Sequence, residues 1–248
     1  ATVDDGRGIL LQTNSTITTL TNNDTISGTA GDSIGQGILL LTSTITNLTN
    51  DGTISGTATT GSNGLGIALG NSTITTLTNN DTISATTGTS SGHGVDLSNS
   101  TLTTLTNTGT ISGEAGTSSG DGIFFLDSDI TTLTNTGTIS GSAGTNIGNG
   151  IDFFRSTLTT LTNTGTISGT AGTIEGYGVS LENNSSLITL TNTGTIKGTA
   201  TADDGAGVIV QEAGSVLTTL TNHGTITGNA TNGAGGVIVD RGGVITTL

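Results

Sequence analysis

The sequence contains no cysteine, proline, methionine or tryptophan, one tyrosine, four phenylalanines, and only four basic residues against 18 acidic ones. Each shortage excludes something. Without Cys there is no disulfide framework, no thiolate nucleophile and no zinc or iron–sulfur site built on sulfur. Four scattered bases, Arg7, Arg155, Lys197 and Arg241, cannot supply the basic footprint that displaces counterions from phosphates, so nucleic acid is not an expected partner. No apolar run approaches the ~20 residues that span a bilayer, and no charged-then-apolar leader opens the chain. Direct membrane insertion of this segment is therefore not expected. The chain does not begin with Met, and the expectation is that it is a piece of something longer.

What is present is equally one-sided. The 248 residues include 42 Gly and 59 Thr and carry a net charge of −14. Such a composition invites a reading as disorder, yet Ile, Leu, Val and Phe total 60 residues, above the roughly 20% share below which cores fail. Those 60 are organised. The phrase Leu-Thr-Asn-x-[Gly/Asp]-Thr-Ile recurs with its Leu at positions 20, 48, 77, 105, 133, 161, 190 and 220, and the chain closes on a ninth such Leu, Leu248, so that successive units are 28–30 residues apart. Five apolar columns return in phase; in the unit that starts at residue 116 they are Ile123, Phe125, Ile130, Leu133 and Ile139, with a sixth, small column at Ala143.

Inside a unit the apolar period is 2, in segments such as T-I-T, T-L-T and G-I-x-L. Thr and Ile favour strands, and Gly every few residues would unravel a helix. Each unit therefore reads as three short strands separated by Gly- and Asn-bearing corners. One unit cannot close a core alone, whereas units stacked in register bury continuous columns, which is the logic of a β-solenoid. The expected fold is all-β, a single-stranded parallel β-helix of about nine coils. One continuous solenoid would cover 1–248, with coils at roughly 1–30, 31–59, 60–87, 88–115, 116–143, 144–171, 172–200, 201–230 and a partial 231–248, both ends uncapped.

The invariant polar column of Asn22, Asn50, Asn79, Asn107, Asn135, Asn163, Asn192 and Asn222 reads as a structural ladder at a corner, where a short amide tolerates left-handed backbone and bonds to neighbouring coils. The Gly-x-Gly segments (Gly35–Gly37, Gly120–Gly122, Gly148–Gly150) are followed by a short apolar strand rather than a helix, so they are expected to be turns and not phosphate cradles.

Catalysis is not expected. His93 and His223 fall in different coils and different columns. The acidic candidates for a polysaccharide-cleaving groove are Asp96, Asp121, Asp127, Asp129 and Asp152; Asp96 and Asp152 share a column two coils apart, roughly 10 Å at the strand spacing, too far for either carboxylate geometry of glycosidases. No cofactor is expected. The acidic turns Asp4-Asp5-Gly6 and Asp203-Asp204-Gly205 lack the nonapeptide of calcium-binding β-rolls, and no metal site is assigned.

Two surfaces remain as candidates. One is an outward apolar patch at Leu39, Leu41, Phe124, Leu126 and Phe154, in columns that elsewhere hold Asp96, Ser180 or Glu182; exposed apolar clusters mark contact surfaces. The other is a Thr-x-Thr array: Thr19, Thr21, Thr76, Thr78, Thr104, Thr106, Thr132, Thr134, Thr160 and Thr162. It resembles the Thr-x-Thr faces of β-helical ice-binding proteins, although Thr is also the simplest soluble β-former for an outward position.

The phrase L-T-N-T-G-T-I-S-G, at Leu105–Gly113, Leu133–Gly141 and Leu161–Gly169, resembles the passenger repeats of bacterial autotransporters and related β-strand-repeat surface proteins, over the whole chain. The resemblance implies a right-handed β-helix exported to the surface of a Gram-negative bacterium. The expected function is a non-enzymatic extracellular structural or adhesive rod. Its partners would be other copies, end to end or side by side, or a host or surface ligand.

Overall fold

The computed structural model describes residues 5–60 and 62–248; Asp4, at the start of the first acidic turn, lies outside them. Among the described residues all regular structure is β-strand, in 26 strands. They form three parallel sheets of nine, nine and eight strands, and successive strands of one sheet come from successive turns of the chain. The protein is a β-solenoid of about nine turns with about three strands per turn. One turn consists of Ile123–Leu126 in the first sheet, Asp129–Asn135 in the second and Thr138–Ala143 in the third.

Register follows the columns of the sequence. Leu105 pairs with Leu133 and Leu133 with Leu161, Asn107 with Asn135, and Ile111 with Ile139. A slip by one residue would turn every inward side chain outward, so the apolar columns lock the stack. Ile123, Phe125, Leu133 and Ile139 are fully buried, and one continuous cluster of such residues runs from Leu11 to Leu220. The wider side chains of the middle coils interlock: Phe125 and Phe153 stack with centroids 4.9 Å apart.

Of the Gly-x-Gly segments, Gly120–Gly122 and Gly148–Gly150 are irregular and each bends just before its strand, whereas Gly35–Gly37 is not a turn. Gly35–Leu41 is strand throughout, and Gly35 pairs with Gly64 of the next coil. Glycine is required there because the first and third sheets nearly touch. A Cβ on Gly122 would lie 2.6 Å from the Gly150 carbonyl oxygen and 2.8 Å from Ile139 Cγ2. Side chains on either backbone would hold the two sheets apart.

Two hydrogen-bonded ladders seal the other corners. In the Asn column, Asn135 Nδ2 donates to Asn163 Oδ1 at 2.8 Å and to the Thr166 carbonyl at 3.0 Å, and its own Oδ1 accepts from Asn107 at 2.8 Å. Its backbone, however, is not left-handed. That conformation occurs at the opposite corner, between first and second sheets, at Thr42, Asn71, Asn99, Asp127 and Arg155, with φ of 49–52°. There a serine column (Ser43, Ser72, Ser100, Ser128, Ser156) forms a second ladder. Ser128 Oγ donates to the Leu126 carbonyl at 2.8 Å and accepts from the Ser100 amide at 3.0 Å. Ser128→Ala should therefore cost about 1–3 kcal/mol, because the buried Ser100 amide loses its acceptor. Chemical denaturation reads this as a lower midpoint at unchanged slope, and a midpoint equal to the parent's would show that the ladder is dispensable.

Candidate functional site

The second sheet carries the Thr array. Its strands present Thr-x-Thr with the central Leu inward: in Thr73–Asn79, Leu77 is buried while Thr76 and Thr78 are half-exposed. Thr76, Thr104, Thr132 and Thr160 pair in turn, as do Thr78, Thr106, Thr134 and Thr162, giving two straight rows of hydroxyl and methyl groups. Thr19 and Thr21 extend them to the first coil, with Asn47 interrupting one row. Outward positions from the Thr16–Asn22 strand through the Val216–Asn222 strand include one charged residue, Asp129. A protein with net charge −14 thus keeps this face nearly free of charge. Beside it, at the corner with the first sheet, a shallow groove of about 370 Å³ is lined by hydroxyls and amides, among them Asn14, Thr42, Ser43 and Asn71.

The apolar patch is reorganised relative to the expectation from alternation. Leu39 does not face solvent: it is 6% exposed and packs with Leu65 and Ala68. Ala68 is its register partner in the next coil, and so small a neighbour lets the Leu side chain lie flat under Leu65. Phe124 is half-buried and stacks on His93, centroids 5.0 Å apart. Leu126 and Phe154 are half-buried, and Leu41 is 40% exposed. Leu126 and Phe154 are adjacent register partners, whereas Leu41 lies three coils away. Arg155 stacks over the Phe154 ring at 4.5 Å and grips Asp127 with two bonds, 2.7 and 2.8 Å. That hydrogen-bonded guanidinium holds the Asp127 carboxyl below the usual carboxylate range.

The outer side of the first sheet is a second, thin layer rather than a solvent face. The residue between the two glycines is buried in coil after coil: Gln36, Leu65, His93, Asp121, Asn149 and Tyr177. Segments arriving from the third sheet run alongside, joined by bridges from Ser119 to Ile147, Glu175 and Asp204. Asp121, 0% exposed, accepts from Ser119 Oγ at 2.6 Å and from the Asn149 amide at 2.9 Å, with His93 Nδ1 3.2 Å away. Asp96, Phe124 and Asp152 are consecutive register partners, so the two carboxylates sit two coils apart as their shared column requires. Asp127 and Asp129 lie outside this layer and are exposed. Asp203 is exposed and Asp204 opens a strand. Among the described residues no three acidic or histidine side chains converge on a common metal position. This layer has no sequence signal because its column has no repeating chemistry; the serine ladder is also absent from the sequence expectations, although Ser43, Ser72, Ser100, Ser128 and Ser156 recur in phase and could have located it. Comparison of the chain with protein-family models, curated proteins and solved structures gives no match.

Proposed function

We propose that the chain is a non-enzymatic extracellular rod, a passenger segment of a Gram-negative surface protein, whose long faces make repeated contacts with a surface ligand or with other copies of itself. The observation that carries this reading is the in-register recurrence of the same outward residue along each sheet, as in Thr104, Thr132 and Thr160. A repeating face offers the same weak contact many times, and linked weak contacts multiply into avidity without any deep pocket. The repeat phrase that resembles autotransporter passengers supports the location. Within this reading the lateral anchors are Leu41, Leu126 and Phe154, with Phe124 partly available and Leu39 serving the interior. Binding to immobilised glycans and to cultured host cells, with light scattering for self-association, tests the proposal. Phe154→Ser and Leu41→Ser should reduce binding or association several-fold while the melting temperature holds. A blank screen together with a strictly monomeric rod would end it.

The nearly charge-free Thr rows favour a second reading, binding to ice. A flat array of alternating hydroxyl and methyl groups at the ~4.8 Å spacing of stacked strands can order water at its surface. Measurable thermal hysteresis that disappears in Thr132→Lys would establish it; none at high protein concentration would dismiss it.

A further inference from the structure

The layer on the outer face of the first sheet concentrates acidic groups from adjoining coils. Asp152, 8% exposed, has no hydrogen-bond donor to its Oδ1. Its register partners are Phe124 on one side and Ser180 on the other. Ser180 gives its hydroxyl to Glu182 at 2.7 Å, and Gln211 donates to the same Glu182 oxygen at 2.6 Å, so neither is free to serve Asp152. Asn149, 1% exposed, keeps an unpartnered Nδ2 among these groups. Two coils earlier His93, 5% exposed, lies against Asp121 and under Phe124.

A buried carboxylate with one oxygen lacking a donor among the described residues, and with other carboxylates nearby, is costly as an ion and far less so as a neutral acid. We propose that this face is a proton-binding seam: Asp152 takes a proton from solvent to stand as a neutral carboxylic acid, His93 holds a second proton against Asp121, and the middle coils are bound together more firmly in mild acid than at neutral pH. The inference is independent of what the rod contacts.

Burial raises the Asp152 carboxyl well above the ordinary range, and the charges of Glu182, Asp121 and Glu175 push it the same way, while the neighbouring Asn149 side chain pulls it down by less. Asp96 is raised by burial, opposed by His93 and assisted by Asp121. For His93 burial acts downward, but the Asp121 carboxylate 3.2 Å from Nδ1, with Asp96, outweighs it and the net shift is upward. Both kinds of shift have the same consequence. A raised acid binds its proton more tightly folded than unfolded, so stability grows as pH falls through its folded pKa and is complete below about 3.9. A raised histidine contributes stability that is complete below about 6.5 and is lost as pH rises through its folded pKa.

Thermal unfolding of the full chain at fixed ionic strength, between about pH 5 and about pH 8, tests the seam. The melting temperature should fall as pH rises. Asp152→Asn should raise it at the alkaline end and flatten the profile, by about 3–5 °C for each tenfold difference in proton affinity removed. His93→Gln should lower it at the acid end. Glu114→Gln removes the same charge from an exposed position on the third sheet and should leave the slope as it is. Identical profiles for Asp152→Asn and Glu114→Gln would overturn the proposal, because net charge alone would then account for the slope. Should Asp152→Asn not fold, carbon-13 titration of the wild-type carboxyls decides: an Asp midpoint clearly above about 4 supports the seam, and none there refutes it.

Discussion

Gly141→Val is expected to destabilise the central coils by at least ~3 kcal/mol, and to lower the melting temperature by roughly 6–12 °C or abolish folding. A Cβ at this position would stand 1.8 Å from the Asn149 carbonyl oxygen and 2.5 Å from that of Gly120. Those atoms are backbone and cannot swing aside, so the first and third sheets must part. Parting them opens the columns of Ile123 and Ile139, both fully buried. The same column holds Ala85 three coils from the amino end, paired with Gly113 and 2% exposed. One methyl group is therefore tolerated where the local backbone has adjusted, and Gly141→Ala should cost less than Gly141→Val. A Val variant melting within a degree or two of the parent would show that the sheets have room to separate.

The second large effect is expected at Asn135→Ala. Asn135 is fully buried, and its amide group bonds to Gly137, Asn163 and Thr166 while accepting from Asn107. Truncation leaves the buried Asn163 Oδ1 without its donor and breaks the bonds to Thr166 and from Asn107, at about 3–5 kcal/mol in sum. The corresponding fall in melting temperature is on the order of 10 °C. Asn222 ends the ladder and is exposed, so Asn222→Ala should cost well under half as much. Asn135→Asp adds a distinguishing signature. Its carboxylate would face the Asn163 Oδ1 with no proton to give, and the loss should deepen as pH rises above about 4. Equal melting of Asn135→Ala and Asn222→Ala would mean that burial adds nothing to the ladder.

Most of the fold is written in the spacing. Parallel strands in register place residue i beside its equivalent one coil later, so a column in the sequence becomes a column in space. Leu105, Leu133 and Leu161 are aligned in the text and paired in the sheet. The same rule located the Asn ladder. It assigned the wrong backbone to it, since the left-handed corner belongs to Thr42, Asn71 and Asp127, positions where Asn, Asp, Thr and Arg alternate and leave no single-residue signature. At Gly35–Gly37 the turn expectation fails because glycine has two uses, positive φ and close approach, and composition alone does not distinguish them.

The candidate surfaces divide in the same way. The Thr rows are where alternation puts them, because the outward residues of the second sheet stay exposed or half-exposed. Alternation fails at Leu39 because it packs with Leu65 and Ala68, at His93 because it lies between Phe124 and Asp121, and at Asp121 because the segment that brings Ser119 runs beside it. By itself, the sequence determined the coil length, the strand register, the apolar columns and the Asn ladder, since each recurs at every turn and stacking copies it at fixed spacing. Only the tertiary structure decided which unrepeated side chains lose their water and which acids share a neighbourhood. Burial there depends on chain from another sheet lying across a face, a relation that no period of 28 residues encodes.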